Sequence, residues 1–401
     1  MAIINAASAS LADVTSAVGG ASAGDTVVVP SGTESWSGGL TISGITLQGA
    51  GTTTWPATST SGTIVTAGAV TVTKHATNNT RITGFSFTGT DNHLTIGGTV
   101  SNKPYIIDHN YIFSNGGDGA NRMIICQVNG GLFHHNAFVA NPANSADMWN
   151  IQTSETWVDG DETIGNADTT GYRNIYIEDC TFSGMLETGP DGDQRARIVI
   201  RYNTYTDSSI VFHSGYETTS GYSDTTTGGG TRHFEVYSNN FKRVSNSYAV
   251  NKWIWVRGGT GVIANNKFDR SSSPDGSSYP NKPLIRLSLN CNGGSYPMEH
   301  QVGQIDKTPD ATPALPLLIF GSLPGDSSDG PADANYLTIS ESASGTPPLT
   351  CSNPTFYIQE NRDFYQSNQW SWVAYTYPHP LQGGSVETST PAVVVPMGMV
   401  L

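Results

Sequence analysis

At 401 residues the chain has room for two ordinary domains or one long repeat array, and 13% charged residues with 45 glycines favour strands and turns over helices. A formal net charge of −14 argues against a duplex nucleic-acid partner, which needs a basic face to displace counterions. The same acidity fits a solvated surface, and it leaves room for a calcium site.

The opening stretch MAIINAASASLADVTSAVGG has neither the basic start nor the apolar core of a secretory signal, and no apolar run reaches membrane-spanning length, so no membrane insertion is expected. Residues 1–24 read as an N-terminal cap, and 25–300 as the body of the fold.

That body repeats. Six segments share two alternating apolar residues, a slot filled by Asn110, Asn136, Cys180, Asn203, Asn239 and Asn266, and an apolar residue two positions later: Ile112, Phe138, Phe182, Tyr205, Phe241 and Phe268. Phe85, followed by Phe87, marks an earlier copy. Successive spacings are 25, 26, 44, 23, 36 and 27 residues, and the two long gaps shrink to the common size if each carries an inserted loop, near Thr153 to Tyr172 and at Thr218 to Gly230.

Alternation with period two builds each unit from short strands, and no unit holds enough apolar residues for a core of its own. Units must therefore stack, each strand pairing with its copy above and below. The expected fold is all-β, a right-handed single-stranded parallel β-helix of ten or eleven coils, about 4.8 Å per coil, with an irregular C-terminal extension. The slot Asn would bond the next Asn along the stack. Tyr105, Ile107, Phe133, Ile175, Ile177, Ile198 and Ile200 fall on inward positions, whereas Asp108, His134, Glu178, Arg201 and Tyr237, two before the slot, have outward parity. Arg201 is thus expected to form a solvated lateral pair with Glu178 and Tyr237.

Four cysteines lie far apart with no C-x-x-C spacing, which reads as buried free thiols; a Cys291 to Cys351 bridge is the alternative. Adjacent His134 and His135 would point to opposite sides of a regular strand and so not share a metal. After residue 300 the pattern dissolves: 301–353 reads as an irregular Pro/Gly/Ser-rich excursion, and 354–401 as a final coil and tail.

The stretches YIIDHNYIFS and IYIEDCTFSG resemble coils of the pectate-lyase-like right-handed β-helix superfamily, and Ala23 to Gly51 resembles its usual N-terminal cap and first coil. YTYPHPL at Tyr375 to Leu381 is similar to the end of many uncharacterised phage and environmental β-helix proteins. The superfamily includes lyases, hydrolases, epimerases and tailspikes, so the resemblance speaks for fold and leaves function to the site.

The resemblance implies three strands per coil, the Asn turn after the second, and substrate lying across the first. Both inserted loops then follow first strands and wall a groove floored by Trp149, Gln152, Glu187, His213, Trp255, Arg257 and Arg286, with Trp253 outward beside Trp255. His213 should lie beside Arg257, one strand spacing away. A lyase acting on an acidic glycan needs a cation for the uronate carboxylate, a base for the C5 proton and an acid for the leaving oxygen. Arg257 supplies the cation and His213 the base, with Tyr216 or Glu217 in reach as acid; Arg232, at the far end of the second loop, is a further catalytic candidate. Arg197, just after the acidic run, is a candidate for glycan contact.

Asp191 and Asp193 in GPDGDQ can offer oxygens to Ca2+, and a Pro-Asp-Gly turn accounts for the same residues without a metal. A hydrolase would instead use two carboxyls, available from Glu187, Asp191, Asp193 and Glu217. Two readings stay open: an extracellular polysaccharide lyase or depolymerase, and a non-catalytic glycan-binding virion (tailspike-like) or adhesion protein. Either would be a monomer or homotrimer.

Overall fold

A computed structural model of the protein describes residues 1–51, 62–89, 92–115, 122–141, 149–153, 171–185, 189–193, 195–213, 230–244, 252–269, 284–290, 302–303, 316–324, 337–342, 355 and 358–383. Its strands form three parallel sheets, and the chain visits them in fixed rotation. Sheet 1 has 10 strands, from Leu40–Ser43 to Leu337–Ser342; sheet 2 has 12, from Ile3–Asn5 to Phe364–Tyr365; sheet 3 has 10, from Gly32–Glu34 to Leu323–Pro324. This is a parallel β-helix.

The slot residues do the bonding that their spacing demands. Asn136 Oδ1 accepts from the Asn110 backbone N–H and Nδ2, both at 3.1 Å, while its own Nδ2 donates to Ile107 O at 2.7 Å. Asn239 serves Asn203 in the same way, and Asn266 serves Asn239. The residue before each slot is left-handed: His109, His135, Asp179, Tyr202, Ser238 and Asn265 have φ between 52° and 56°. Two positions after the slot, Phe138, Phe182, Tyr205, Phe241 and Phe268 stack in one column, with successive centroids 4.9, 4.5, 4.8 and 5.0 Å apart, the spacing of the coils themselves.

Cys180 breaks the amide ladder. Its thiol is buried and free, and where the ladder would offer an amide oxygen Asn136 Nδ2 meets the sulfur at 3.9 Å, beside its bonds to Ile107 O and His134 O. Burial pushes that thiol's pKa far up, so it stays a thiol. Replacing Cys180 with Asn should let the new Oδ1 accept from Asn136 and the new Nδ2 reach Phe133 O, raising stability by about 1 kcal/mol. A thermal midpoint that falls, or does not move, would contradict this account of the ladder. Cys126 is also a buried thiol outside any disulfide, while Cys291 and Cys351 lie outside the described residues.

Ser10 caps the helix Leu11–Gly19, whose Val14 and Ala17 close the core at the N-terminal end. Strand Ile3–Asn5 already pairs with Thr26–Val28, so residues expected as cap contribute to sheet 2. The stretch expected to be irregular likewise supplies Leu317–Phe320, Leu323–Pro324 and Leu337–Ser342, one to each sheet. Among the described residues, no helix is long and apolar enough to cross a membrane.

The outward column of sheet 2 is not solvated. Glu178 and Arg201 are each 0% exposed, because the segment from Trp372 to Gln382 lies over them. Arg201 Nε donates to Glu178 Oε2 at 2.6 Å, Nη1 to Tyr237 Oη at 2.8 Å and Tyr375 O at 2.7 Å, and Nη2 to Thr376 O at 2.9 Å. Glu178 Oε1 accepts from His379 N–H and Gln382 Nε2, and Tyr377 Oη donates to Asp179 at 2.6 Å. Beneath this strap, Leu132, Tyr176, Val199, Val262 and Leu318 form a second apolar cluster with Trp372. The lateral pairing expected for Arg201 is therefore present, and its solvation is not.

His134 and His135 also differ from expectation. The strand Gly131–His134 ends before His135, whose left-handed turn brings the two Nδ1 atoms to 3.0 Å instead of opposite faces. Burial, with the neighbouring imidazoles opposing the pull of Asp108, lowers the His134 pKa to about 3.

Candidate functional site

The outer face of sheet 1 gathers the charged residues. Register places Asn150, Asp191, Val211, Trp255, Arg286 and Thr338 side by side on successive coils. Gly192 separates Asp191 from Asp193 and faces the core: a Cβ there would lie 2.8 Å from Ile198 Cδ1 and 3.1 Å from Phe212 Cδ1. The acidic run is thus the strand Asp191–Asp193, where the sequence suggested a turn.

His213 and Arg257 follow adjacent strands, tied in by His213 N–H to Gly192 O at 2.8 Å and Arg257 N–H to Phe212 O at 2.7 Å. Their side chains meet. Arg257 Nη1 lies 3.1 Å from His213 Nδ1 and 3.3 Å from Nε2, and Nε2 lies 3.2 Å from Asp191 Oδ1. A guanidinium only donates, so the ring nitrogen facing it accepts and the imidazole is neutral. Burial first, then the Arg257 charge, pulls the His213 pKa down to about 3, although 27% of the side chain stays exposed.

Trp255 forms the adjoining floor. Its Nε1 donates to Ser288 Oγ at 2.7 Å, which fixes the indole, and three cations surround the ring: Lys252 Nζ at 3.7 Å from the centroid, Arg257 Cζ at 5.0 Å and Arg286 Cζ at 5.4 Å. Burial and the nearby Arg257 charge lower the Arg286 pKa, as expected where cations crowd together.

Other predicted residues go elsewhere. Trp253 sits in the core, 5% exposed, stacked 5.5 Å from Phe268; it precedes strand Ile254–Val256, so strand parity does not govern it. Trp149 is also inward, 0% exposed, 4.7 Å from both Phe133 and Phe138. Arg197 begins a sheet 2 strand, where Nε donates to Asn174 Oδ1 at 3.0 Å and its N–H to Asn129 Oδ1 at 3.0 Å. Arg232 is buried beside it, its N–H donating to Ala196 O, while the preceding Thr231 N–H reaches His213 O. Gln152 lies on sheet 1 opposite Asp193 in its backbone. Glu187, Tyr216 and Glu217 lie outside the described residues. Lys252 and Ser288 carry no signal in the repeat, since Lys252 precedes its strand and Ser288 is a small polar residue like many others.

Among the described residues, no group of three or more His, Cys, Asp or Glu side chains is arranged to hold a metal. Calcium takes six to eight oxygens, and Asp191 has His213 at 3.2 Å on one side, so these two aspartates alone do not fit it.

No family model matches the chain, and no curated protein matches it. Among solved structures it is similar to an alginate lyase from Paenibacillus sp. str. FPU-7, at 16% identity, covering 66% of this chain and 94% of that one, with a TM-score of 0.39. A likeness so distant carries no argument about chemistry, which rests on the residues.

Proposed function

We propose that the protein is a polysaccharide lyase of the pectate-lyase-like β-helix type, cleaving an acidic glycan across the outer face of sheet 1. The observation that carries this reading is a neutral imidazole held against a guanidinium, with a carboxylate oxygen 3.2 Å from its Nε2. In the tautomer this reading uses, hydrogen sits on Nε2, the nitrogen 3.2 Å from Asp191 Oδ1, and the Nδ1 lone pair is left beside Arg257. A uronate carboxylate drawn to Arg257 takes over its donors. That one movement neutralises the carboxylate, acidifying the C5 proton, and uncovers Nδ1 as the base. The C–H electrons form the C4–C5 double bond, the C4–O bond breaks, and the leaving oxygen takes a proton from an acid, for which Glu217 is the sequence candidate.

A second reading uses the same floor without chemistry: Trp255 and its cations hold an acidic glycan for a virion-borne or adhesion protein. In either case the protein works outside the cell or on a particle, as a monomer or homotrimer. Incubation with a panel of acidic and neutral polysaccharides separates the two, by ultraviolet absorbance of the unsaturated product and by reducing ends. Absorbance establishes elimination; reducing ends alone transfer the assignment to paired carboxyls; binding without either product favours the second reading.

A further inference from the structure

Lys252 stands closer to the aromatic floor than either arginine, with Nζ 3.7 Å from the Trp255 centroid. At that distance the ammonium occupies a face of the indole, the kind of surface on which the C–H face of a sugar stacks. The indole cannot turn away without losing its bond to Ser288. Lys252 is itself 5% exposed, so it must move for any ligand to reach this face.

We propose that Lys252 is the specificity residue of this platform, admitting carboxylated sugar units and rejecting neutral ones; the inference rests on the reading of sheet 1 as a glycan groove. A neutral unit has to displace the ammonium and brings no charge to the neighbourhood of Lys252, Arg257 and Arg286. A uronate unit displaces it equally but offers its carboxylate in exchange, replacing a cation–π contact with a charge-assisted hydrogen bond. Selection thus comes from a contact that the wrong ligand breaks without compensation.

The test is calorimetric titration of the wild type, Lys252→Met, Lys252→Arg and Trp255→Ala with oligosaccharides of galacturonate, mannuronate and glucuronate, and with the same oligosaccharides after reduction of their carboxyls to alcohols. The wild type should prefer the acidic member of its best pair by about tenfold or more. Lys252→Met, which keeps the length and loses the charge, should lose most of that preference and bind the reduced sugar at least as tightly as wild type. Lys252→Arg should retain it. Full preference in Lys252→Met overturns the proposal and leaves the groove standing. Unchanged binding by Trp255→Ala, or no binding of any probe by the wild type, overturns the groove reading and the proposal with it. Thermal melts of each variant separate loss of fold from loss of binding.

Discussion

Replacing His213 with Ala should lower the rate of elimination by about 10²–10⁴-fold while leaving the thermal midpoint nearly unchanged, because the side chain is partly open to solvent and acts as the base. His213→Gln should be equally inactive, since an amide fills the space but takes up no proton. The pH profile carries the sharper information. A free histidine loses its basic form as pH falls through about 6.5. Here burial and Arg257 pull the value to about 3, so the neutral base persists through the mildly acidic range, and activity should hold from neutrality to about pH 5 before declining. Arg257→Met removes part of that depression. Its residual activity should therefore lose rate at a higher pH than wild type, toward the ordinary histidine value. The same sign governs stability: a neutral buried imidazole favours the fold above its unfolded pKa, and that contribution shrinks as pH falls through 6.5 toward 3, where folding opposes protonation. An acid limb near 6.5 in the wild type would remove His213 from the role of base.

The repeat was readable because one residue type performs one bond in every coil. An Asn at the slot, preceded by two inward apolar residues and followed by another, leaves little freedom in register, and the amide chain from Asn203 through Asn239 to Asn266 confirms it. The adjacency of His213 and Arg257 followed from the same register. What alternation cannot report is whether an outward residue meets water. Arg201 faces away from the core, yet its cover comes from Tyr375 and Thr376, 174 and 175 residues further along, with no repeat signal to connect them. Parity also fails at strand ends. Trp253 and Lys252 both precede the strand at Ile254–Val256: one turns into the core, the other folds back over Trp255. Trp149 was legible in principle, since Ile151 two positions on is plainly a core residue.

The largest loss of stability should come from Arg201. Its guanidinium joins two coils of sheet 2 to the strap, through Glu178, Tyr237, Tyr375 and Thr376. Arg201→Met keeps much of the volume but leaves the Glu178 carboxylate buried without its cation, and two strap carbonyls without donors. Breaking a buried pair from one side costs about 3–5 kcal/mol. Burial pushes the Glu178 pKa upward while Arg201, His379 N–H and Gln382 pull it back; without Arg201, the carboxyl should take up a proton at a higher pH, so the variant should recover part of its stability on mild acidification. Glu178→Gln combined with Arg201→Met removes the uncompensated charge and should be less damaging than the sum of the two single changes. Denaturant unfolding of the four proteins measures this coupling, and proteolysis of the segment around Trp372 reports whether the strap lifts first. If the strap is only a passive cover, Arg201→Met should unfold like an ordinary surface variant, and the double change should be strictly additive. If the pair fastens it, cleavage near Trp372 should precede global unfolding in Arg201→Met and follow it in the wild type.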